Sequence, residues 1–151
     1  MIYRSTKTYG HDLGLSCAFR QWRAASHCRV VHGYALAVRL EFEAGELDKN
    51  GWVIDFGSLA AVKAELVACF DHRTLVASDD PEIGWFREAH DRKIINMLIV
   101  DGIGCEAFAG SVFAKTEQWL GDAGHRPRVR LVSAEVREHG SNSAIAFGSP
   151  A

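Results

Sequence analysis

Apolar and polar residues alternate most regularly between positions 34 and 43. Leu36, Val38, Leu40 and Phe42 point one way; Ala37, Arg39, Glu41 and Glu43 point the other. Alternation of this kind predicts a strand with one buried face and one wet or partnered face, the habit of an antiparallel sheet. By the same rule Leu13, Leu15, Cys17 and Phe19 share a face, so a first strand is expected over 7–19. A polar connection over 20–27 leads from it to the second. After a charged turn (45–51) and a short extended piece (52–56), the period changes. Leu59, Val62, Leu66 and Cys69/Phe70 recur at helical spacing, and Ser58 is positioned to cap a helix over 59–70.

A Ser-Asp-Asp-Pro turn at 78–81 precedes an irregular, partly helical stretch containing Trp85, Phe86 and His90, and 94–100 is apolar and extended. A second helix is expected from Cys105 or Glu106 to Leu120, burying Phe108, Val112, Phe113 and Trp119, with Gly121 and Gly124 as stop signals. Two last strands, 128–138 and 143–147, flank the turn His139-Gly140-Ser141-Asn142. The order β-β-α-α-β-β, with helices grouped between hairpins, argues an α+β fold.

The chain has 151 residues, 48% of them hydrophobic and 24% charged, which suits one globular domain over 1–151. A formal net charge of −2 gives no reason to expect nucleic-acid binding. No apolar run approaches the roughly 20 residues of a membrane helix. Residues 1–7 lack the apolar core of a secretory leader, so a cytoplasmic location is expected. Cys17, Cys28, Cys69 and Cys105 are unevenly spaced without a C-x-x-C pair, which suggests neither a disulfide framework nor a zinc knuckle.

Cys28-Arg29-Val30-Val31-His32-Gly33-Tyr34 sets a thiol and an imidazole four residues apart just before the best strand. Gly51-Trp52-Val53-Ile54-Asp55-Phe56 follows, and then Asp71-His72 at the end of the first helix. This ordered set resembles the 6-pyruvoyltetrahydropterin synthase / 6-carboxytetrahydropterin synthase family, whose pattern is Cys-x-x-x-His-Gly-His, Gly-x-x-x-Asp-Phe, Asp-His and a late Glu. The resemblance covers most of the chain. It implies the tunnelling fold, a four-stranded antiparallel sheet with two helices packed on one face. It also implies subunits joined edge to edge into a homohexamer, a dimer of trimers. The sequence agrees to the extent that a four-stranded sheet leaves two edges to be covered.

Read as chemistry, Cys28 can act as a base only as thiolate, a form that a neighbouring imidazole (His27 or His32) favours; a buried loop cysteine is the plain alternative. The resemblance makes Cys28 the general base of a pterin lyase. In Asp71-His72 a carboxylate can fix and charge an imidazole, although adjacent residues do not face one another on a helix. The resemblance makes the pair a proton relay. Val76 stands where the family's Leu-Asn would place asparagine after Leu75. Glu135 is either an ordinary strand glutamate or a two-oxygen acceptor for the amino-pyrimidinone edge of a pterin; the resemblance favours the second. Glu106 aligns with a further family glutamate, and a helix-N-terminal charge explains it equally well.

The family binds zinc through a first-strand histidine and both histidines of His-Gly-His. Here His32 is kept and Tyr34 replaces its partner. On the first strand either Cys17 or Phe19 occupies the ligand place, according to how the gap is counted. The expected set is therefore His32 with Cys17 and Tyr34, with His11 and His27 as further candidates, for a Zn(II) ion. Arg20, Arg23 and Arg29 surround the loop before His32; a solvated basic loop and a clamp for a substrate triphosphate both satisfy that pattern.

The resemblance thus implies an enzyme similar to 6-carboxytetrahydropterin synthase. It would convert 7,8-dihydroneopterin triphosphate to a carboxypterin on the route to 7-deazaguanine and queuosine. The 6-pyruvoyl product is the near alternative. A non-catalytic pterin- or purine-binding relative, its zinc ligation lost through Tyr34, is the distant one.

Overall fold

The structure, a computed structural model, describes residues 1–148. Its antiparallel sheet consists of β1 (Tyr3–Tyr9), β3 (His32–Ala44), β6 (Val129–His139) and β7 (Asn142–Phe147), in that spatial order. β3 is the long central strand. Leu36, Val38, Leu40 and Phe42 are buried along its apolar face, as the alternation predicts. The helices α1 (Ala60–Phe70) and α3 (Cys105–Asp122) close the core with them, burying Val62, Leu66 and Phe70 from one, and Phe108, Ala109, Val112 and Leu120 from the other.

The expected strand over 7–19 is broken in two. A short 3-10 turn over His11–Leu13 interrupts it, and Gly14, at φ 77, supplies the left-handed residue that restarts the chain as β2 (Leu15–Phe19). β1 pairs with the distal half of β3 and β2 with its proximal half, so Cys17 and Phe19 keep the buried parity expected of them.

Three elements add a parallel wing: β4 (Arg73–Ala77), α2 (Ile83–Asp91) and β5 (Met97–Val100). β5 falls inside the extended 94–100, and α2 is the helical part of the irregular stretch. β4 was not expected. Its residues 74–77 are all buried, so no polar alternation marks it as a strand. The start of α1 also differs: a 3-10 turn over Phe56–Leu59, capped by Asp55 and not by Ser58, leads into it, and α1 itself has no side-chain cap. The Asp55 side chain accepts from the Gly57 N–H at 2.8 Å, while the Ser58 hydroxyl donates to the Asp55 carbonyl at 2.6 Å. Residues 52–55 form an irregular turn instead of an extended piece.

The sheet face away from the helices carries charge. Glu43, 9% exposed at its side chain, accepts from Arg130 at 2.6 and 2.8 Å and from Arg4 at 2.8 Å. Hydrogen bonds from Arg130, then Arg4, hold the Glu43 carboxyl below its ordinary 4.5. On the wing, Asp80 takes both Arg20 nitrogens at 2.6 and 2.9 Å with its side chain 1% exposed, and that fork holds its carboxyl below the ordinary 3.8. The pair ties the segment before Cys28 to the β4–α2 turn.

Because both carboxyls titrate lower in the folded chain than in the unfolded one, their contribution is complete above their ordinary values and is lost as pH falls through the depressed ones. Thermal unfolding should therefore be nearly level from about pH 7 to about pH 5 and decline below about pH 4. The decline should be shallower in Glu43→Gln. Asp80→Asn leaves Arg20 without its counter-charge, and urea unfolding should show a loss of about 3 kcal/mol.

Candidate active site

Cys28 sits in a single 3-10 turn, His27–Arg29, that forms because the Ser26 hydroxyl oxygen accepts from the Cys28 N–H at 3.3 Å. The chain then enters β3 at His32. Beside them opens a cavity of about 580 Å3 lined by Cys28, His32, Phe19, Glu106 and Glu138, with Cys105 and Ile103–Gly104 at the start of α3. A sequence-nominated thiol, imidazole and carboxylate thus meet in one place: Cys28, His32 and Glu106.

Gly33 makes the meeting possible. A Cβ at this position would lie 2.2 Å from the Cys17 carbonyl oxygen, so only glycine lets β2 and β3 approach this closely. Phe19 then stands opposite His32, and Cys17 opposite Tyr34. The His32 Nδ1 lies 2.7 Å from the Val30 carbonyl oxygen. A carbonyl only accepts, so Nδ1–H donates and Nε2 is the ring nitrogen left for other partners.

Glu135 is not part of this cavity. It belongs to the charged sheet face, alternating with buried Ala134 and Val136, and accepts from Arg137 at 2.6 Å. The β6 glutamate in the cavity lining is Glu138. Its signal was strand parity, since even-numbered positions 134 and 136 face the helices while 135 faces away. The late glutamate therefore had to be sought at the end of the strand and not in its middle. Burial, reinforced by the carboxylates of Glu138 and Glu106, pushes the Cys105 thiol up to about 11. Burial pushes Cys17 up to about 12, with Cys105 and Glu138 adding to it. Neither thiol is a base or a ready thiolate near neutral pH.

Asp71 and His72 do face one another, by a device not visible in the dipeptide. Asp71 leaves the helix in an extended conformation and His72 adopts φ 55, in the left-handed region. The His72 N–H is held by the Ser16 carbonyl at 2.7 Å, and its Nδ1 lies 2.7 Å from Asp71 Oδ1. Of the pair, His72 lines a second cavity, of about 840 Å3, with Cys17, Tyr34, Arg73 and Lys93 also in its lining. It does not share the cavity of Cys28.

The expected metal ligands do not make up a donor set: His32 and Tyr34 are neighbours, with ring centroids 5.7 Å apart, but their third neighbour in the cluster is the ring of Phe19. Among the described residues no three His, Cys, Asp or Glu side chains are grouped to hold an ion. Cys17 is buried and resists ionisation, Tyr34 is raised by burial, and the residue opposite His32 is the phenyl ring of Phe19. His11 is exposed, its Nδ1 2.5 Å from the Ala35 carbonyl, and His27 is exposed outside the cavity lining. The zinc expectation does not fit these side chains. Two arginines of the supposed phosphate clamp are also committed elsewhere, Arg20 to Asp80 and Arg23 to Asp79. Arg29 lines a separate apolar pocket with Trp85 and Phe86.

A family model described as "6-pyruvoyl tetrahydropterin synthase" matches residues 11–149. A probable 6-carboxy-5,6,7,8-tetrahydropterin synthase of Halobacterium salinarum is 33% identical over 84 residues, covering 56% of this chain and 53% of the relative. A 6-carboxy-5,6,7,8-tetrahydropterin synthase of Rickettsia typhi is 36% identical over 58 residues, 38% of this chain and 42% of the relative. The chain spans about half the length of the curated relatives it matches. An uncharacterised protein of Wolinella succinogenes shares the fold with a TM-score of 0.83 at 19% identity, over 99% of both chains. A 6-pyruvoyltetrahydropterin synthase of Plasmodium vivax does so with a TM-score of 0.71 at 15% identity, again over 99% of both. The fold is therefore the tunnelling fold, with β1–β3–β6–β7 as its four-stranded sheet and α1 and α3 on one face. No helix among the described residues is long and apolar enough to cross a membrane.

The left-handed backbone at His72 costs a β-carbon-bearing residue about 1 kcal/mol. His72→Gly should relieve about 0.5–1 kcal/mol of it while deleting the imidazole that Asp71 orients. Calorimetry should show a Tm a few degrees higher, whereas His72→Ala, keeping the strain, should show none of this gain.

Proposed function

The chain belongs to the 6-pyruvoyl tetrahydropterin synthase family, and on that premise we propose that it is a lyase of the 6-carboxytetrahydropterin type. Its substrate on this reading is 7,8-dihydroneopterin triphosphate and its product serves 7-deazaguanine and queuosine synthesis. The names of the curated relatives support the 6-carboxy product over the 6-pyruvoyl one. The observation that carries the proposal is the single cavity shared by Cys28, His32, Glu106 and Glu138.

Its carboxylates, Glu106 and Glu138, suit an amino-pyrimidinone edge, which donates two parallel N–H bonds as a guanidinium does. Cys28, in the same lining, is the base that takes a proton from the side chain as triphosphate leaves, and water is consumed as the carboxylate forms and acetaldehyde is released. Cys28 acts in its thiolate form, with the His32 imidazole of the same lining as the candidate acceptor of the thiol proton. The Asp71–His72 dyad returns protons. Since His72 lines the other cavity, the dyad serves the Cys28 site of an adjacent copy. The oligomer, a hexamer made as a dimer of trimers on this reading, is built by pairing the free edges of β1 and β7, where Tyr3, Ile145 and Phe147 are exposed. The cytoplasm is its expected compartment.

The poor fit of a metal favours a second reading, a pterin- or purine-binding relative without turnover. Incubation with dihydroneopterin triphosphate separates the two. Acetaldehyde and free triphosphate, each lost by about 100-fold or more in Cys28→Ala, support the lyase. Tight pterin binding with no product supports the binding protein, and neither binding nor product overturns both. Glu138→Gln should weaken pterin binding by about 10- to 100-fold, having lost a charge-assisted pair of hydrogen bonds; Glu135→Gln should leave it unchanged. Sedimentation equilibrium of a monomer at micromolar concentration would remove the shared-site mechanism.

A further inference from the structure

Outside the acid–base groups, the most organised cluster near the site is a set of rings. Phe19, His32 and Tyr34 are mutual neighbours. Their centroids lie 5.2 Å (Phe19–His32), 5.7 Å (His32–Tyr34) and 6.1 Å (Phe19–Tyr34) apart. The first pair is tilted by 57° and the second meets edge to face at 88°, geometries that attract between rings. Phe108 of α3 packs edge-on against Phe19 at 5.2 Å, and His139 against Tyr34 at 5.9 Å. Three side chains from two paired strands thus converge as a tripod of metal ligands would, yet only His32 offers a nitrogen. The two rings beside it, a phenyl and a phenol, stand where a tripod would present two further nitrogen donors.

We infer that this chain has exchanged the family's zinc centre for a metal-free aromatic cluster, and that Phe19 and Tyr34 are the two residues that keep the site metal-free. The inference uses the family reading only to say where ligands would be expected. It holds whether or not the protein turns over a pterin. The rings fill the volume an ion and its ligands would take, and Phe19, 3% exposed, also belongs to the core. Any chemistry here then rests on Cys28, His32, the carboxylates and the dyad, and any turnover is insensitive to chelators.

The test measures metal in the absence of substrate. Wild-type protein, loaded with equimolar zinc and dialysed against a mild chelator, should retain no stoichiometric zinc by elemental analysis. The double variant Phe19→His/Tyr34→His places imidazoles at the two ring positions around His32. It should retain close to one zinc per chain, bind at least about 100-fold tighter than wild type in competition with a chromophoric chelator, and gain in Tm on adding zinc. Because Phe19→His cuts into the core, Tyr34→His alone is the safeguard. It should tighten zinc binding by about 10-fold, and that gain should vanish in Tyr34→His/His32→Ala. Wild type that retains one zinc per chain and loses it in His32→Ala overturns the inference. So does a folded double variant, its circular dichroism unchanged, that gains no affinity.

Discussion

The approach of β2 to β3 at Gly33 is the constraint on which the rest of the site depends. No side chain fits between the Gly33 Cα and the Cys17 carbonyl oxygen. Every contact across the two strands inherits that spacing: Phe19 opposite His32, Cys17 opposite Tyr34, and the turn that carries Cys28 at the mouth. The other edge of β2 is occupied in turn. Cys17 pairs with Arg73 of β4, and the Ser16 carbonyl takes the N–H of His72. One narrow strand thus positions the imidazole of the first cavity and the imidazole of the second. A larger residue at Gly33 would displace both.

Legibility in the sequence followed the length scale of the signal. The long alternating run of β3 and the helical spacing of α1 and α3 were readable because a half-buried element repeats its apolar residues at its own period. β4 was not, since a strand buried on both faces has no period to read. The split of the first strand hung on Gly14, whose left-handed conformation marks a restart only once its neighbours are seen to pair with different halves of β3. At the site, Cys28 and His32 were legible in their four-residue spacing, and Glu106 only through the family resemblance. Glu138 was not legible, because its direction depends on a bulge between Arg137 and His139 and on the buried parity of 134 and 136.

The Asp71–His72 pair shows why a dipeptide says little about geometry. On a continuing helix the two side chains would diverge by about 100°. The helix stops at Phe70, and the positive φ of His72 turns the ring back onto its neighbour's carboxylate. That conformation is unfavourable alone and persists because the Ser16 carbonyl holds the backbone N–H. Strain of this sort collects at positions where orientation matters more than stability.

The two cavities on either side of the β2–β3 ribbon differ in sign. The one with Cys28 is lined by Glu106 and Glu138 and by no lysine or arginine, whereas the one with His72 is lined by Arg73, Lys93 and His90 and by no carboxylate. A ligand whose ring donates N–H groups and whose tail is anionic is attracted by the first at its head and by the second at its tail. Of the arginines before His32, Arg20 and Arg23 are already paired and Arg29 lines a separate pocket, so none of them lines either cavity. Charge alone therefore orients such a ligand, head toward the thiol and tail toward the dyad's side of the ribbon. On the proposed reading, a single molecule feels both fields where the dyad side of one copy meets the thiol side of the next.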